Sequence, residues 1–203
     1  HTRYISVTGV QTCALPIWIL PGGTCPSVAI TGLTLGGGIG PNARWAGLTA
    51  DHLRATTLVT ADGEIVTASA DEHADLFWAL RGIGGGQLGI HAEHRYALAE
   101  VPAATSHVIE IRAAGVHAVA AQANALLALL RDGPRTLSAL FASYSDPAEG
   151  IVAMTWAQIV EPADRAEELI GRLVAPASEV TGRGELPWGE ARSEEHTSEL
   201  QSH

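Results

Sequence analysis

The sequence contains no lysine, and its 12 basic residues, all arginine, are outnumbered by 22 acidic residues, which gives a formal net charge of −10. This balance provides no basic surface of the kind that nucleic-acid-binding proteins use, so a nucleic-acid partner is not expected. A phosphate-binding P-loop requires a Gly-Lys-Ser/Thr triplet and is therefore excluded. The exclusive use of arginine indicates a GC-rich, bacterial coding sequence.

Cysteine and long apolar runs are also scarce. The only cysteines are Cys13 and Cys25. The most apolar segment, residues 116–130, is interrupted by polar side chains and is too short to cross a bilayer, so no membrane span is expected. The apolar fraction of 46% and charged fraction of 17% are ordinary for a globular chain of one or two domains. The sequence does not decide whether the protein is cytoplasmic or secreted.

The two ends of the chain are related through their coding sequences. Residues 7–17, VTGVQTCALPI, can be encoded by a DNA strand whose complement, with one further base, encodes residues 192–203, RSEEHTSELQSH. Opposite strands of one duplex at the two ends are typical of a sequencing adapter ligated to both sides of an insert. We therefore expect residues 1–17 and 192–203 to be adapter-derived and to carry no functional information. Residues 18–191 are then a metagenomic fragment of a longer protein.

Glycine is concentrated in two clusters. Gly36, Gly37, Gly38 and Gly40 form the first, and residues 82–89 contain five further glycines. Because glycine allows the backbone to approach a ligand closely, two clusters within apolar sequence indicate a loop-built site for a large cofactor. The alternative is that both clusters are merely turns. A dinucleotide fingerprint is excluded because the third glycine that it requires would fall on Pro41.

Hydrophobic periodicity predicts two groups of elements on either side of a boundary near residue 102. The first group comprises a short strand at 28–31, a helical turn at 42–46, a hairpin of strands 53–60 and 64–69, a helix at 71–80 and a strand at 90–98. The second comprises a strand at 107–112, a helix at 116–131, strands at 137–144 and 151–160, and a helix at 162–173. This order predicts an α+β architecture with a mostly antiparallel sheet.

Several sequence blocks in the first half carry a family resemblance. They are PGGTCPSV, GLTLGGGIG, RWAGLTADHL, VTADGEIVTAS, DLFWALRGIGGG and LGI. In this order they resemble the FAD-linked oxidases of the vanillyl-alcohol oxidase superfamily, which have a PCMH-type FAD-binding domain, and above all their berberine-bridge-enzyme-like branch. The resemblance covers residues 18–98. It implies that residues 18–101 are the C-terminal part of the FAD-binding domain and that residues 102–191 begin an antiparallel substrate (cap) domain with helices.

The resemblance also implies an activity. The parent protein would be an FAD-dependent oxidoreductase that oxidises a hydroxyl-bearing small molecule by hydride transfer to flavin, with O2 among the acceptors that this chemistry allows. No catalytic base and no metal ligand is assigned in this chain. Two alternatives stay open: the fragment binds no flavin and is inactive by itself, or a flavin-free binding protein uses the same fold.

The resemblance assigns the cofactor-binding residues. Cys25 lies in the G-x-C-P-[ST]-V context where some members attach a cysteine sulfur to the flavin, a role that needs a thiolate nucleophile. The alternative for Cys25 is a small buried thiol. The residues implied to bind FAD are Gly23, Thr24, Cys25, Gly32, Gly36, Gly37, Gly38, Gly40, Gly89 and Ile90.

The chain departs from the family pattern after the second glycine cluster. The family's G-N-[FW]-G-[VI]-[VI] is replaced by residues 86–91, GQLGIH, and His94 stands where phenylalanine is common. Positions i and i+3 of a regular strand point to opposite faces, so His91 and His94 are not expected to share a site. We further expect His52 to make local hydrogen bonds, Asp51 to cap a turn and Trp78 to lie in the core.

Overall fold

The computed structural model describes residues 4–7, 18–25, 27–103 and 105–187, with only the backbone given for residues 4–7 and 186–187. The chain divides into two compact units, residues 1–101 and 102–203. Each unit has its own hydrophobic core. Helices combined with antiparallel sheets confirm the α+β class. None of the helices in the described ranges is long and apolar enough to cross a membrane.

The first unit is built on a four-stranded antiparallel sheet with the order β1-β5-β3-β4, and a second, two-stranded sheet pairs β2 with β6. Its elements are β1 (Tyr4–Val7), β2 (Trp18–Ile19), α1 (Ile30–Leu35), α2 (Ala43–Ala46), α3 (Thr49–His52), β3 (Leu53–Val59), β4 (Ile65–Ser69), α4 (Ala74–Leu80), β5 (Ile90–Ala97) and β6 (Ala99–Glu100). The predicted hairpin is confirmed: Thr60 and Gly63 close the turn between β3 and β4 with backbone hydrogen bonds of 2.9 and 3.0 Å.

The prediction of a strand at residues 28–31 is wrong, because helix α1 begins at Ile30. Thr34 and Leu35 at the end of α1 are buried, and the Thr34 hydroxyl donates a 2.7 Å hydrogen bond to the carbonyl of Ile30. The phenol of Tyr96 on β5 lies 2.8 Å from the same hydroxyl. The β-branched residues favoured a strand, but the burial of one helical face against β5 decides the conformation.

The prediction for Trp78 is also wrong. Helix α4 buries Phe77 and Leu80 in the core of the first unit, whereas Trp78 is 74% exposed. The helix begins at Ala74, later than predicted, because the Ser69 side chain accepts hydrogen bonds from the backbone of Asp71 and Glu72 and holds them in a turn. Such local side-chain bonds compete with helix formation.

The second unit is a four-stranded antiparallel sheet with the order β10-β7-β9-β8. Its elements are β7 (Thr105–Ala114), α5 (Val116–Asp132), β8 (Leu137–Asp146), β9 (Gly150–Ile159), α6 (Ala163–Leu173) and β10 (Ser178–Pro187). The predicted strand, helix, two strands and helix are confirmed, while β10 was not predicted. Both helices pack on one face of the sheet around Ile111, Leu129 and Ile159, each of which is buried.

Candidate functional site

The first glycine cluster packs against the segment that precedes Cys25. A Cβ atom at residue 40 would overlap the carbonyl oxygen of Gly22, so only glycine allows the two backbones to approach this closely. The buried Thr49 hydroxyl lies 2.7 Å from the carbonyl of Pro21 and 3.2 Å from that of Gly38. These contacts hold residues 21–25 and 36–40 side by side.

The second glycine cluster is joined to the first through the backbone. Gly84 donates a 2.7 Å hydrogen bond to the carbonyl of Leu35, the last residue of α1. At the other end of the second cluster, Gly89 has a φ of +146°, and a Cβ there would overlap the carbonyl oxygen of Val59 on β3. Gly89 is thus held against the sheet, and Ile90 begins β5 next to it.

A large apolar side chain is exposed at each of the two glycine clusters. Ile39, within the first cluster, is 75% exposed, and Ile90, beside the second, is 77% exposed. Cys25 is exposed and forms no disulfide with any described residue. The prediction that Cys25 could be a buried thiol is therefore wrong.

The predicted cofactor-binding residues serve two purposes. Gly38, Gly40 and Gly89 are required by the packing of the chain on itself, because a Cβ at each would overlap Thr49, Gly22 or Val59. At Gly32 no described atom lies within 4 Å of an added Cβ, and Gly23, Thr24 and Gly36 are exposed. Gly37 is half-buried and has a φ of +98°. The rigid glycines thus shape the loops, and the exposed positions beside Cys25 leave room for a ligand.

These features fit a flavin cofactor. The free thiol of Cys25 provides an attachment point, and the exposed isoleucines provide apolar contact for a ring system. The glycine backbone gives a ligand close access to N–H groups. Among the described residues, no group of three or more His, Cys, Asp or Glu side chains could hold a metal ion.

A groove that the sequence did not predict adjoins the loops. It has a volume of about 530 Å³ and lies between the α3 region and the end of α4, where Leu48, Asp51, Trp78 and Ile83 line it. The guanidinium of Arg81, also in the lining, stacks over the Phe77 ring at 5.2 Å. No signal in the sequence indicated this groove, because Trp78 was expected in the core and its exposure depends on which face of α4 is buried.

His52 and Asp51 fulfil the local roles predicted for them. The two ring nitrogens of His52 lie 2.9 and 2.6 Å from the carbonyl oxygens of Ala97 and Ala46. The Asp51 carboxylate accepts a 2.9 Å hydrogen bond from the backbone of Leu48 and caps the turn into α3. Both side chains therefore stabilise helix α3 and the turn that leads into it, directly before β3.

His91 and His94 share one face of β5, contrary to the prediction. Thr57 pairs with Glu93 and Leu58 pairs with His91, so Ala92 is an extra residue that forms a β-bulge. A bulge shifts the alternation of side chains by one position. The two imidazole rings are consequently stacked, with centroids 5.2 Å apart and planes inclined by 18°.

The histidine pair lies in an apolar environment. His94 is 3% exposed, and neither of its ring nitrogens has a hydrogen-bond partner among the described residues. Burial, together with the nearby His91, lowers the pKa of His94 to about 4. Burial also lowers the pKa of His91, whose Nδ1 lies 2.8 Å from the Thr56 hydroxyl. His94 is therefore neutral near pH 7 and buried, whereas His91 is half-buried beside it.

The sheet face of the second unit that lies opposite its helices carries a polar and aromatic row. Glu110, Trp156 and Leu140 are direct neighbours across β7, β9 and β8. The indole of Trp156 donates a 2.9 Å hydrogen bond to one Glu110 oxygen, and the Thr181 hydroxyl donates a 2.8 Å bond to the other. Leu140 is 60% exposed. An indole held in place beside a carboxylate can contact both the apolar and the hydroxyl-bearing parts of a ligand.

Comparison with known proteins gives consistent matches. Residues 14–69 match a family described as FAD binding domain. Over 80 residues the chain is 50% identical to glucooligosaccharide oxidase of Sarocladium strictum. The aligned residues are 39% of this chain and 16% of that protein. An FAD-linked oxidoreductase of Aspergillus niger is 45% identical over 91 residues. This alignment covers 45% of this chain and 16% of that protein.

Solved structures extend the likeness to both units. A glucooligosaccharide oxidase from Acremonium strictum superposes with a TM-score of 0.71 at 30% identity and covers 85% of this chain and 36% of its own. Xylooligosaccharide oxidase from Myceliophthora thermophila, solved with xylobiose, gives a TM-score of 0.71 at 27% identity over 88% of this chain and 37% of its own. The chain thus spans about a third of these structures. In its motifs, its FAD binding domain match and its fold, the chain is thus similar to FAD-linked oxidases, and these matches support FAD as the cofactor.

Proposed function

We propose that this chain is the flavin-contacting and substrate-contacting segment of an oxidase that acts on a carbohydrate or a related hydroxyl-bearing small molecule. The observation that carries the proposal is the exposed thiol of Cys25, next to two glycine clusters that the Gly84–Leu35 hydrogen bond joins. One of the similar solved structures is described as carrying a 6-S-cysteinyl, 8α-N1-histidyl FAD. By analogy, Cys25 is the cysteinyl attachment point here.

The residues of this chain would hold the cofactor rather than carry out the redox chemistry. FAD, when bound, supplies the site that accepts a hydride from the substrate. Cys25 would anchor the ring, Ile39 and Ile90 would shield it from water, and the backbone around Gly32 and Gly36 would lie along it. Cys25 would hold the flavin through a thioether, and forming this bond from the thiol S–H and a ring C–H would require an acceptor for two electrons and two protons, such as dioxygen. No described side chain is assigned as the base that removes the substrate's hydroxyl proton.

The chemistry of the open sheet face supports a hydroxyl-rich substrate. Trp156 offers an aromatic surface, Glu110 offers a carboxylate, and Gln158, one row away, donates a 2.9 Å hydrogen bond to the Ser106 hydroxyl. Sugars present both C–H faces and hydroxyl edges, and tryptophan beside carboxylate and amide groups matches both. Two of the relatives are named for their action on glucooligosaccharides and xylooligosaccharides.

The proposal is tested on the intact protein that contains this segment. We expect the purified protein to be yellow and to oxidise oligosaccharides with consumption of dioxygen. A colourless preparation that remains inactive after incubation with FAD would contradict the proposal and favour a flavin-free binding protein.

The substrate role of the sheet face has its own test. Trp156→Phe keeps an aromatic ring but removes the hydrogen bond to Glu110, whereas Trp156→Ala removes both. We expect the alanine variant to raise KM on the order of tenfold, equivalent to about 1.4 kcal/mol, and the phenylalanine variant to raise it less, because it keeps an aromatic ring. Leu127→Ala, at an exposed position of α5 outside this sheet face, is the control and is expected to leave KM unchanged. An unchanged KM in Trp156→Ala would exclude this face from the substrate site.

A further inference from the structure

His107 and Glu185 form a polar pair at one edge of the second unit. They are direct cross-strand partners on β7 and β10. His107 is buried, with a side chain that is 2% exposed, whereas the Glu185 side chain is 55% exposed. The Nδ1 atom of His107 lies 3.5 Å from Oε1 of Glu185. This separation is longer than the 2.7–3.2 Å that is usual for an N–H···O hydrogen bond.

The other ring nitrogen of His107 determines what Nδ1 can do. Nε2 lies 3.1 Å from the carbonyl oxygen of Glu161, an acceptor only, so Nε2 carries a proton and donates it. In the neutral imidazole, Nδ1 then bears a lone pair, and this buried atom has no hydrogen-bond partner among the described residues. The lone pair and the Glu185 carboxylate face each other, an arrangement that a cation between them would stabilise.

The pair lines a cleft with negative charge. The cleft has a volume of about 310 Å³ and is lined by Pro102, Ala103, Thr105, His107, Glu161, Pro162, Ala163 and Glu185. Two carboxylates thus contribute to the lining, and no arginine does so among the described residues. The Glu161 carboxylate accepts a hydrogen bond from Thr136, which holds it in position. The electrostatic environment favours a cation.

We propose that His107 Nδ1 and Glu185 Oε1 bind a divalent transition-metal ion of the zinc type. Ligands at about 2.0–2.1 Å on a tetrahedral ion are separated by roughly 3.4 Å, which matches the observed 3.5 Å. The bond from Nε2 to the Glu161 carbonyl is the outer contact that metal-binding histidines usually make. Water completes the coordination, since the described part of the chain brings no third ligand of this kind to the site. The ion would link β7 to β10 where α6 begins.

The test is titration of the 203-residue chain with Zn²⁺ against a chromophoric chelator. His107→Gln retains an amide donor for the Glu161 carbonyl but removes Nδ1, and Glu185→Gln removes the carboxylate charge. We expect each substitution to weaken Zn²⁺ binding by at least about tenfold. His117→Gln and Glu179→Gln, at exposed positions of the same unit, are matched controls and are expected to bind like the parent chain.

Two results would overturn the proposal. One is equal Zn²⁺ affinity in the parent chain, His107→Gln and Glu185→Gln; the other is an equal loss of affinity in the control variants. Circular dichroism establishes whether each variant folds. If His107→Gln does not fold, the exposed Glu185→Gln decides the outcome, together with the nitrogen NMR shift of His107 in the parent chain. Zn²⁺ on Nδ1 changes that shift, whereas a simple ion pair with Glu185 leaves it independent of Zn²⁺.

Discussion

The backbone N–H of Gly84 donates a 2.7 Å hydrogen bond to the carbonyl of Leu35, so the loop after α4 is fixed to the end of α1. The close contact of Gly40 with Gly22 adds the segment that leads to Cys25. Three stretches that are far apart in sequence thus form one surface in the first unit. The exposed thiol of Cys25 follows the first of these stretches, and the exposed Ile39 lies in the second.

Gly40→Ala is expected to destabilise the first unit. An added Cβ would overlap the Gly22 carbonyl, and because backbone rather than a flexible side chain must move, we expect a loss of about 2–3 kcal/mol in the free energy of unfolding. Urea unfolding measures this loss. Gly32→Ala is the matched control, since an added Cβ there meets no described atom and alanine favours the helix by up to about 1 kcal/mol. Equal stability of the two variants would contradict the close approach.

His94 is expected to make the protein sensitive to acid. Its pKa is lowered from 6.5 to about 4 in the folded state, so the unfolded chain takes up the proton first as the pH falls. The free energy of unfolding should therefore decrease between pH 6.5 and about 4, by an amount on the order of 2 kcal/mol, and be fully retained above this window. Chemical unfolding at a series of pH values measures this slope.

Two variants separate His94 from other titrating groups. His94→Phe removes the buried imidazole and should flatten the dependence of stability on pH between 6.5 and 4. His117→Gln, at an exposed position, should leave the slope of the parent chain unchanged. A slope as steep in His94→Phe as in the parent chain would show that His94 is not the group responsible, because His91 alone accounts for a smaller residual slope.

Gln122 is expected to be essential for the second unit. Its buried amide donates a 3.1 Å hydrogen bond to the carbonyl of Leu173 and accepts one of 3.1 Å from the backbone of Ala175. Gln122→Leu leaves both backbone groups buried and unpaired, at a cost of about 1–3 kcal/mol for each. Thermal or urea unfolding should show the loss, while the exposed Asn124→Leu on the same helix should change stability little. Similar stabilities for the two variants would contradict this role.

Much of the fold could be predicted because local pattern and tertiary packing agree there. The β3–β4 hairpin has alternating residues around an Asp-Gly turn, and α5 and α6 have clear helical periodicity. Strand β10 could not be predicted, since Gly182 and Gly184 lower its intrinsic strand preference and its pairing with β7 supplies the stability. At α1, contact with Tyr96 outweighed the β-branched composition.

The candidate site was predictable where a motif determines it and unpredictable where geometry does. The motif around Cys25 and the glycine clusters identified the loops. The stacking of His91 on His94 depends on the extra residue at Ala92, and no local sequence pattern predicts a bulge of this kind. The exposure of Trp78 likewise depends on which face of α4 meets the sheet.

The most direct test of the central claim is to identify what is bound to Cys25 in the intact protein. The purified protein is precipitated with acid, treated with an alkylating agent, digested and analysed by mass spectrometry. The account predicts that the peptide containing Cys25 carries a flavin adduct and that Cys25→Ser abolishes this adduct. Recovery of Cys25 as an ordinary alkylated thiol, from a preparation in which all flavin stays in the supernatant, would contradict it.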